Sequence, residues 1–537
     1  MPAPPDTRRT LAAGLSRTAG LFGWRRSDAD APVFLAVGLG VLTALSRAPF
    51  RSRYLFAWDS ANFALALDQY NVGFHQPQPP GYPAYVGAAR AVYALTGDAN
   101  AAYVWLSVAA SGLAVTFLTL VAAQLYGNRT AFMSGVLLGT SSVFWSQGVV
   151  AYPYAFLACF SALVAWLCRL IRADGQRWLV PFAGGVIGLA GGFRSELIPF
   201  MTPLWLYASL GRRGGSQVSW PGRGGPVVLG FVAMGAVTLC WYVPMVVLSG
   251  GWDAYQSATG SYYAYFIQTT SGAGKLLLGL LENARALAGF VYNGLGLALL
   301  PMLYFAGRYF TPQRVAGDER VRFVALWIAP PLAFYVTVHI GNPGYVLSLL
   351  PALCIYASEA VLGFIEDVRE SLKASGRWVV PAAMGGVLMM GLINSALFFL
   401  ANGEGRWREI KQIDRIFERQ LREIDSKYAP ENTLILAYDR SRQYRYYLPR
   451  HRIELLFDVA VAGAVTDTSR YWERRATYRV PAGISTVLFP DLGRNTSDQP
   501  GLVQRLDLGD GAELFLARVQ PGDELRYGYH YASGGRA

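Results

Sequence analysis

The chain has 537 residues, of which 53% are hydrophobic and only 15% charged, and its mean hydropathy is +0.27. A soluble protein of this length carries about 25% charged residues, and about two thirds of this sequence falls into apolar stretches roughly 18 to 25 residues long, enough for a helix to cross hydrocarbon. Composition therefore excludes a wholly soluble protein and predicts a polytopic α-helical membrane protein. The net charge of +12 is no sign of a nucleic-acid partner, because no basic stripe interleaves with exposed aromatics in a soluble module.

The first 31 residues, with Arg8, Arg9, Arg17, Arg25 and Arg26 among prolines, read as a disordered basic cytoplasmic leader. No small-residue cleavage site follows the first apolar run, so that run is expected to stay as an anchor. Spans are expected near 32–50, 100–126, 130–147, 153–171, 178–193, 195–210, 226–249, 285–307, 322–339, 345–364 and 379–400, about eleven in all. Alternation from a cytoplasmic N-terminus places Arg169, Arg172, Arg177, Arg212, Arg213, Arg223, Arg308, Arg314, Arg320, Arg322, Arg369, Lys373 and Arg377 inside, as the bias of basic loops toward the cytoplasm requires. The four cysteines, Cys159, Cys168, Cys240 and Cys354, fall within apolar stretches and without C-x-x-C spacing, so they read as small hydrophobes.

The loop at 51–99 contains SANFALALDQY and GYPAYVGAARAVYAL, each helical in period but only about three turns long. They are expected as interfacial helices, with Trp58, Phe63, Tyr70, Tyr82 and Tyr93 at headgroup depth. Residues 32–400 form the expected transmembrane domain. An odd number of spans puts 401–537 outside, where WREIKQIDRIFERQLREIDSKY reads as an amphipathic helix and TLILAYD, RIELLFD, ISTVLFP and AELFLARV as strands of a small extracytoplasmic α/β domain. With 21 basic and 19 acidic residues, this domain is no obvious polyanion binder. Its YDRSRQYRYYLPRHR run reads as a solvated helix face or as a surface for carbohydrate or phosphate.

Ionisable groups at a membrane are costly and mark function. The expected topology sends Asp59, Asp68, His75, Arg194, Glu196, Asp253, Lys275, Glu282, Arg285 and His339 to one side. Asp59 opens a helical stretch, so it reads as an N-cap, as a general base whose carboxyl is raised by apolar neighbours, or as both. Asp68 lies about nine positions on, roughly on the opposite helix face, which disfavours a paired-carboxylate glycosidase arrangement or a metal site built on that pair. Arg194 in GGFRSELIPF either clamps a phosphate or pairs with Glu196 and headgroups. His339 and Tyr345, around GNPGY, either face a phosphate or sit in a wet turn and an aromatic belt. His75 is open between ligand contact and turn.

The motifs WDSANFALAL, HQPQPPGYP, GLAGGFRSELIPF and HIGNPGYVLSLLPAL resemble those of glycosyltransferases of the GT-C superfold, in the style of bacterial protein O-mannosyltransferases and lipid A aminoarabinose transferases. That resemblance implies transfer of a sugar from a polyprenyl-phosphate carrier to a glycan, lipid or protein acceptor at the outer face of the cytoplasmic membrane. It puts Asp59 in the place of the residue that activates the acceptor, Arg194 near the donor phosphate, and His339 with Tyr345 in the late loop that closes the cavity. Lys275, Arg285 and His75 are further donor-side candidates, and Glu196, Asp68 and Asp253 secondary acids. Asp-Ser stands here where many relatives have Asp-Glu; no cofactor is expected, and a divalent metal, though possible, lacks a clear ligand set. Single displacement implies inversion at the anomeric carbon. The alternatives are a lipid-linked glycan transporter or flippase, which predicts a repeat the sequence lacks, and an O-antigen ligase or polymerase.

Overall fold

The computed structural model describes residues 30–174, 176–211, 221–269, 276–373, 375–403, 405–437, 440–455, 476–491, 496–497 and 503–528. The expected basic leader, except for its last two residues, lies outside them. Among the described residues, six helical segments are long and apolar enough to cross a membrane: Ala31–Phe50, Ala99–Tyr126, Tyr154–Ala173, Gly224–Leu248, Leu278–Tyr309 and Gly376–Leu400. The protein is a multi-pass membrane protein. Cys159, Cys168 and Cys354 are buried in it as free thiols, and Cys240 is exposed.

In chain order, α1 (Asp30–Arg47) leads through two short helices, α2 (Trp58–Asp68) and α3 (Pro83–Thr96), to the long central α4 (Ala99–Tyr126). The single span expected at 130–147 is split into α5 (Asn128–Thr140) and α6 (Ser142–Gly148). Ser141 leaves the helical region (φ −53°, ψ 127°), and its Oγ accepts the N–H of Phe144 to cap a new helix start. There follow α7 (Tyr154–Asp174), α8 (Leu179–Phe193), α9 (Leu197–Leu210), α10 (Pro221–Leu248), α11 (Trp252–Thr269), α12 (Leu276–Leu295), α13 (Leu299–Tyr309), α14 (Pro312–Gly317) and α15 (Glu319–Thr337). The segment expected to begin a span at 345 opens as a 3₁₀ turn over Pro343–Ser348, and α16 (Leu350–Ser371) begins only after it. α17 (Val379–Leu400) ends the bundle.

Helices α8 and α10 cross at backbone contact. A Cβ on Gly184 would lie 2.3 Å from the Gly230 carbonyl oxygen, and one on Gly188 2.5 Å from that of Met234. Small residues one turn apart are how helices pack closely where lipid supplies no hydrophobic drive. At 15 and 14 residues, α8 and α9 reach only about 22 Å at 1.5 Å per residue, short of the ~30 Å hydrocarbon core. The tip of their hairpin, Arg194–Glu196, therefore stays inside the bundle, and Arg194 is 3% exposed.

Of the two loop helices, α3 keeps the one-sided burial expected of an interfacial helix, and α2 departs from it. α3 is one-sided, burying Tyr85, Val86 and Ala89 and leaving Leu95 exposed. α2 is buried on nearly every side, with Phe63 and Ala64 fully enclosed and Tyr70 also buried. The Phe63 ring meets Tyr82, Tyr85 and Tyr103 rather than headgroups. Burial also covers the polar atoms: Ser60 Oγ donates to the Ala151 carbonyl, and Arg90 donates to the carbonyls of Ala66 and Leu67 that α2 leaves open at its end. The cause is composition, since WDSANFALAL has small or apolar residues on all faces and suits a helix inserted into protein.

The C-terminal region starts with α18 (Trp407–Lys427), whose apolar face (Ile413, Phe417, Ile424) covers a five-stranded sheet. Its strands are β1 (Thr433–Ala437), β2 (Arg452–Leu455), β4 (Thr486–Phe489), β6 (Val503–Gly509) and β7 (Ala512–Arg518), in the order β2-β1-β4-β7-β6. β1 runs parallel to both neighbours, and β7 is antiparallel to β4 and β6. A second sheet has the order β3-β8-β5, from β3 (Ala476–Arg479), β5 (Thr496–Ser497) and β8 (Glu524–Gly528). α19 (Ser441–Tyr447), in the basic aromatic run, is not a solvated face. Its Tyr444 is fully buried against Phe417, and Arg442 reaches the first loop, donating to the Phe74 carbonyl at 3.2 Å.

Candidate functional site

Asp59 occupies the second position of α2. The N-cap residue is Ala57, and no side chain caps the helix, so Asp59 is not the cap that its place in the sequence suggested. Its carboxylate accepts no hydrogen bond among the described residues. Burial raises it from 3.8 to about 6, and the positive charge of Arg194 partly opposes that rise. Part of its surface remains open. A first-turn carboxylate also gains from the helix dipole, but here burial outweighs both favourable fields.

Arg194 ends α8 in an extended conformation (φ −151°, ψ 108°), and this turns its side chain back across the hairpin. Nε donates to Glu196 Oε1 at 2.7 Å, and Nη2 donates to the same oxygen. Three tyrosine rings enclose the guanidinium: Tyr154 at 4.7 Å, Tyr345 at 5.0 Å and Tyr82 at 5.5 Å. A cation gains from the faces of such rings, and the gain is larger out of water. Each ring arrives from a different element: Tyr82 from the turn before α3, Tyr154 from the first residue of α7, and Tyr345 from the 3₁₀ turn. Tyr345 is in turn met edge-on by His339 and Tyr335, and the Tyr335 hydroxyl is hydrogen-bonded to Ser348 Oγ. His75, left-handed at φ 53°, contacts Tyr262 of α11. Burial and the nearby Arg442 charge keep its imidazole below the usual histidine range.

The structure thus gathers Asp59, Arg194, Glu196, His339 and Tyr345 about one cluster, with His75 at its margin through Tyr262, whose phenol feels the Asp59 charge. It leaves Asp68, Asp253 and Arg285 exposed and outside the cluster. Lys275 lies outside the described residues. Sequence reasoning missed Tyr154 and Tyr262, and took Tyr82 for a headgroup aromatic. The signal available was polar phenols in AYPY and GSYYAY, runs that follow or precede apolar spans. Among the described residues, no three His, Cys, Asp or Glu side chains gather to hold a metal ion. A cleft of about 580 Å³ opens elsewhere, on the C-terminal domain between Tyr54, Glu418 and His451. Its main charges pair with each other, Arg422 with Glu418 and Arg450 with Asp425, so the chemistry points to the Arg194 cluster and not to this cleft.

One glycine holds the tyrosine box together. A Cβ on Gly344 would lie 2.4 Å from Cγ of Tyr154, closer than atoms tolerate. Gly344→Ala is therefore expected to displace Tyr154 from Arg194 and to lower turnover about tenfold or more, given how steeply rate depends on placement. Wild-type turnover in that variant would show that the box does not matter to the chemistry.

The family model for dolichyl-phosphate-mannose-protein mannosyltransferases matches residues 78–241. That stretch includes the tyrosine turn, the α8–α9 hairpin and Arg194, and starts beyond Asp59. No curated protein matches the chain by sequence. The structure is similar to that of ArnT from Cupriavidus metallidurans bound to undecaprenyl phosphate, with a TM-score of 0.55 at 15% identity over 92% of this chain and 100% of that one. The apo form of the same protein matches with the same score and identity, over 92% and 99%. The chain has the GT-C fold. Within that GT-C fold, the short α2 and α3 carry Asp59 and the tyrosine turn, the α8–α9 hairpin carries Arg194, and a small sheet domain follows the bundle.

Proposed function

We propose that the protein is a glycosyltransferase that moves a sugar from a polyprenyl-phosphate carrier to an acceptor hydroxyl, working at the extracytoplasmic surface of the cytoplasmic membrane with its N-terminus inside and its C-terminal domain outside. The observation that carries this reading is a half-buried Asp59 carboxylate, with no hydrogen bond among the described residues, lying within the field of the enclosed Arg194 cation in a GT-C fold. ArnT, the similar structure, holds undecaprenyl phosphate, and a carrier of that chemistry suits a site with a fixed guanidinium.

The acceptor oxygen attacks the anomeric carbon as the bond from that carbon to the phosphate oxygen breaks. Asp59 takes the acceptor proton, and the phosphate leaves with the bonding electron pair. Charge grows on the phosphate as it departs, and a fixed cation in a water-poor setting stabilises it far more than water does. One displacement inverts the anomeric carbon. The acceptor is a glycan, lipid or protein hydroxyl. The scheme is written without a cofactor, since Asp59 takes the proton and Arg194 meets the phosphate charge, while Glu196 is committed to Arg194.

The test uses the full chain in lipid vesicles with undecaprenyl-phosphate-linked hexoses and pentoses, following release of undecaprenyl phosphate and the anomeric configuration of the product. Release with inversion is expected. The base must be ionised to act, so kcat/KM should climb as pH rises through about 6 and level off above it. A retained configuration, or a rate flat from pH 5 to 8, would remove Asp59 from the role of base.

A further inference from the structure

The backbone leading to Asp59 is held from the C-terminal domain. Three successive N–H groups of the first loop donate out of it: those of Arg53 and Tyr54 to Asp414 Oδ1, at 3.0 and 3.1 Å, and that of Leu55 to the Tyr447 hydroxyl, at 2.9 Å. Just before them, Ser52 is tied to the bundle, its N–H donating to the Val149 carbonyl and its own carbonyl accepting from Asn100 Nδ2. The strap is therefore fixed on two sides, bundle and domain, four residues before the proposed base. Rings reinforce the domain side: Tyr54 stacks on Phe417 and meets Tyr447 edge-on, and Arg442 lies over Trp58, the neighbour of Asp59.

Asp414 is an unusual way to hold such a strap. It is 4% exposed, on a helix whose other charges are exposed or partly exposed, with Lys411 Nζ at 3.8 Å as its ion-pair partner. Burying a carboxylate is costly. What an anion adds over a neutral acceptor is a shorter, stronger hold on N–H donors.

We propose that Asp414 and Tyr447 are positioning residues, through which the C-terminal domain sets the place of Asp59 by gripping residues 53–55. This rests on the reading of Asp59 as base. The domain is then part of the catalytic apparatus and not merely a cover over it, and a shift of about 1 Å at the strap is enough to lower the rate by up to a hundredfold.

The experiment compares Asp414→Ala, Asp414→Asn and Tyr447→Phe in the full chain, measuring kcat and KM for an undecaprenyl-phosphate-linked donor, together with amide exchange over residues 52–58. Asp414→Ala is expected to lose kcat by about tenfold or more with donor KM within twofold, and to open the strap amides to exchange. Asparagine keeps an oxygen that accepts from both N–H groups, so Asp414→Asn should restore most of the rate. Tyr447→Phe keeps the ring but not the acceptor, and should cost several-fold in kcat. Opened strap amides with wild-type kcat would overturn the proposal, as would equal losses in the alanine and asparagine variants. If Asp414→Ala does not fold, Tyr447→Phe decides the matter alone. The two readings fail separately: turnover retained in Asp59→Asn sinks the base, whereas a dead Asp59→Asn beside fully active strap variants sinks only the positioning role.

Discussion

Asp59→Asn is expected to abolish sugar transfer while raising the melting temperature. Asparagine has the shape of aspartate and cannot take a proton, so the loss should be about 10²- to 10⁴-fold, the usual contribution of a placed base. The stability change follows from linkage. The folded-state value of Asp59 is about 6 against 3.8 unfolded, so its contribution to stability is fully present below about pH 3.8 and is lost as pH rises through 6. The wild-type chain therefore carries at neutral pH a half-buried charge with no hydrogen bond among the described residues, and the asparagine variant does not. The difference in melting temperature should be greatest near pH 7 to 8 and should vanish toward pH 4. An active site that trades stability for a poised group behaves this way. A variant that melts lower than wild type at pH 7.5, or that still transfers sugar, would count against Asp59 as the base.

The membrane class was legible because it depends on composition and on the length of apolar runs, both local. So were the strand runs of the C-terminal domain and the hairpin with Arg194 at its tip, since Pro, Gly and charge punctuate those segments. What the sequence could not show was which partner each side chain would choose. Phe63 and Tyr70 look like interfacial aromatics in any window of ten residues, and only the arrival of Tyr82, Tyr85 and Tyr103 from elsewhere in the chain turns that surface inward. Asp59 resembles a cap until the backbone at Ala57 takes that place. Arg442 and Tyr447 read as a solvated face because their contacts lie at the first loop, more than 350 residues away. The tyrosine box is the extreme case, with three rings from three elements meeting one cation, and no spacing rule links them.

Arg194→Lys is the second large effect expected, and with Glu196→Gln it distinguishes a catalytic cation from a structural strut. Alanine at 194 is uninformative, because removing one partner of a buried pair strands the other at a cost of about 3 to 5 kcal/mol. Lysine keeps the charge but loses the flat surface lying against three rings and the paired N–H donors. If Arg194 holds the departing phosphate, charge on that phosphate is greatest in the transition state, so Arg194→Lys should cost about 10²-fold in kcat and much less in donor affinity. Glu196→Gln keeps the shape of the acid while withdrawing its negative charge from the guanidinium, leaving more of the cation for the phosphate. Donor affinity should then hold or tighten, even though the hairpin loses an ion pair. A strut behaves differently: both substitutions would lower the melting temperature and the rate in parallel, and the double variant would be no worse than the poorer single one. Sensitivity of kcat to Arg194→Lys, with Glu196→Gln leaving donor affinity intact, is the combination that only a phosphate-facing Arg194 produces.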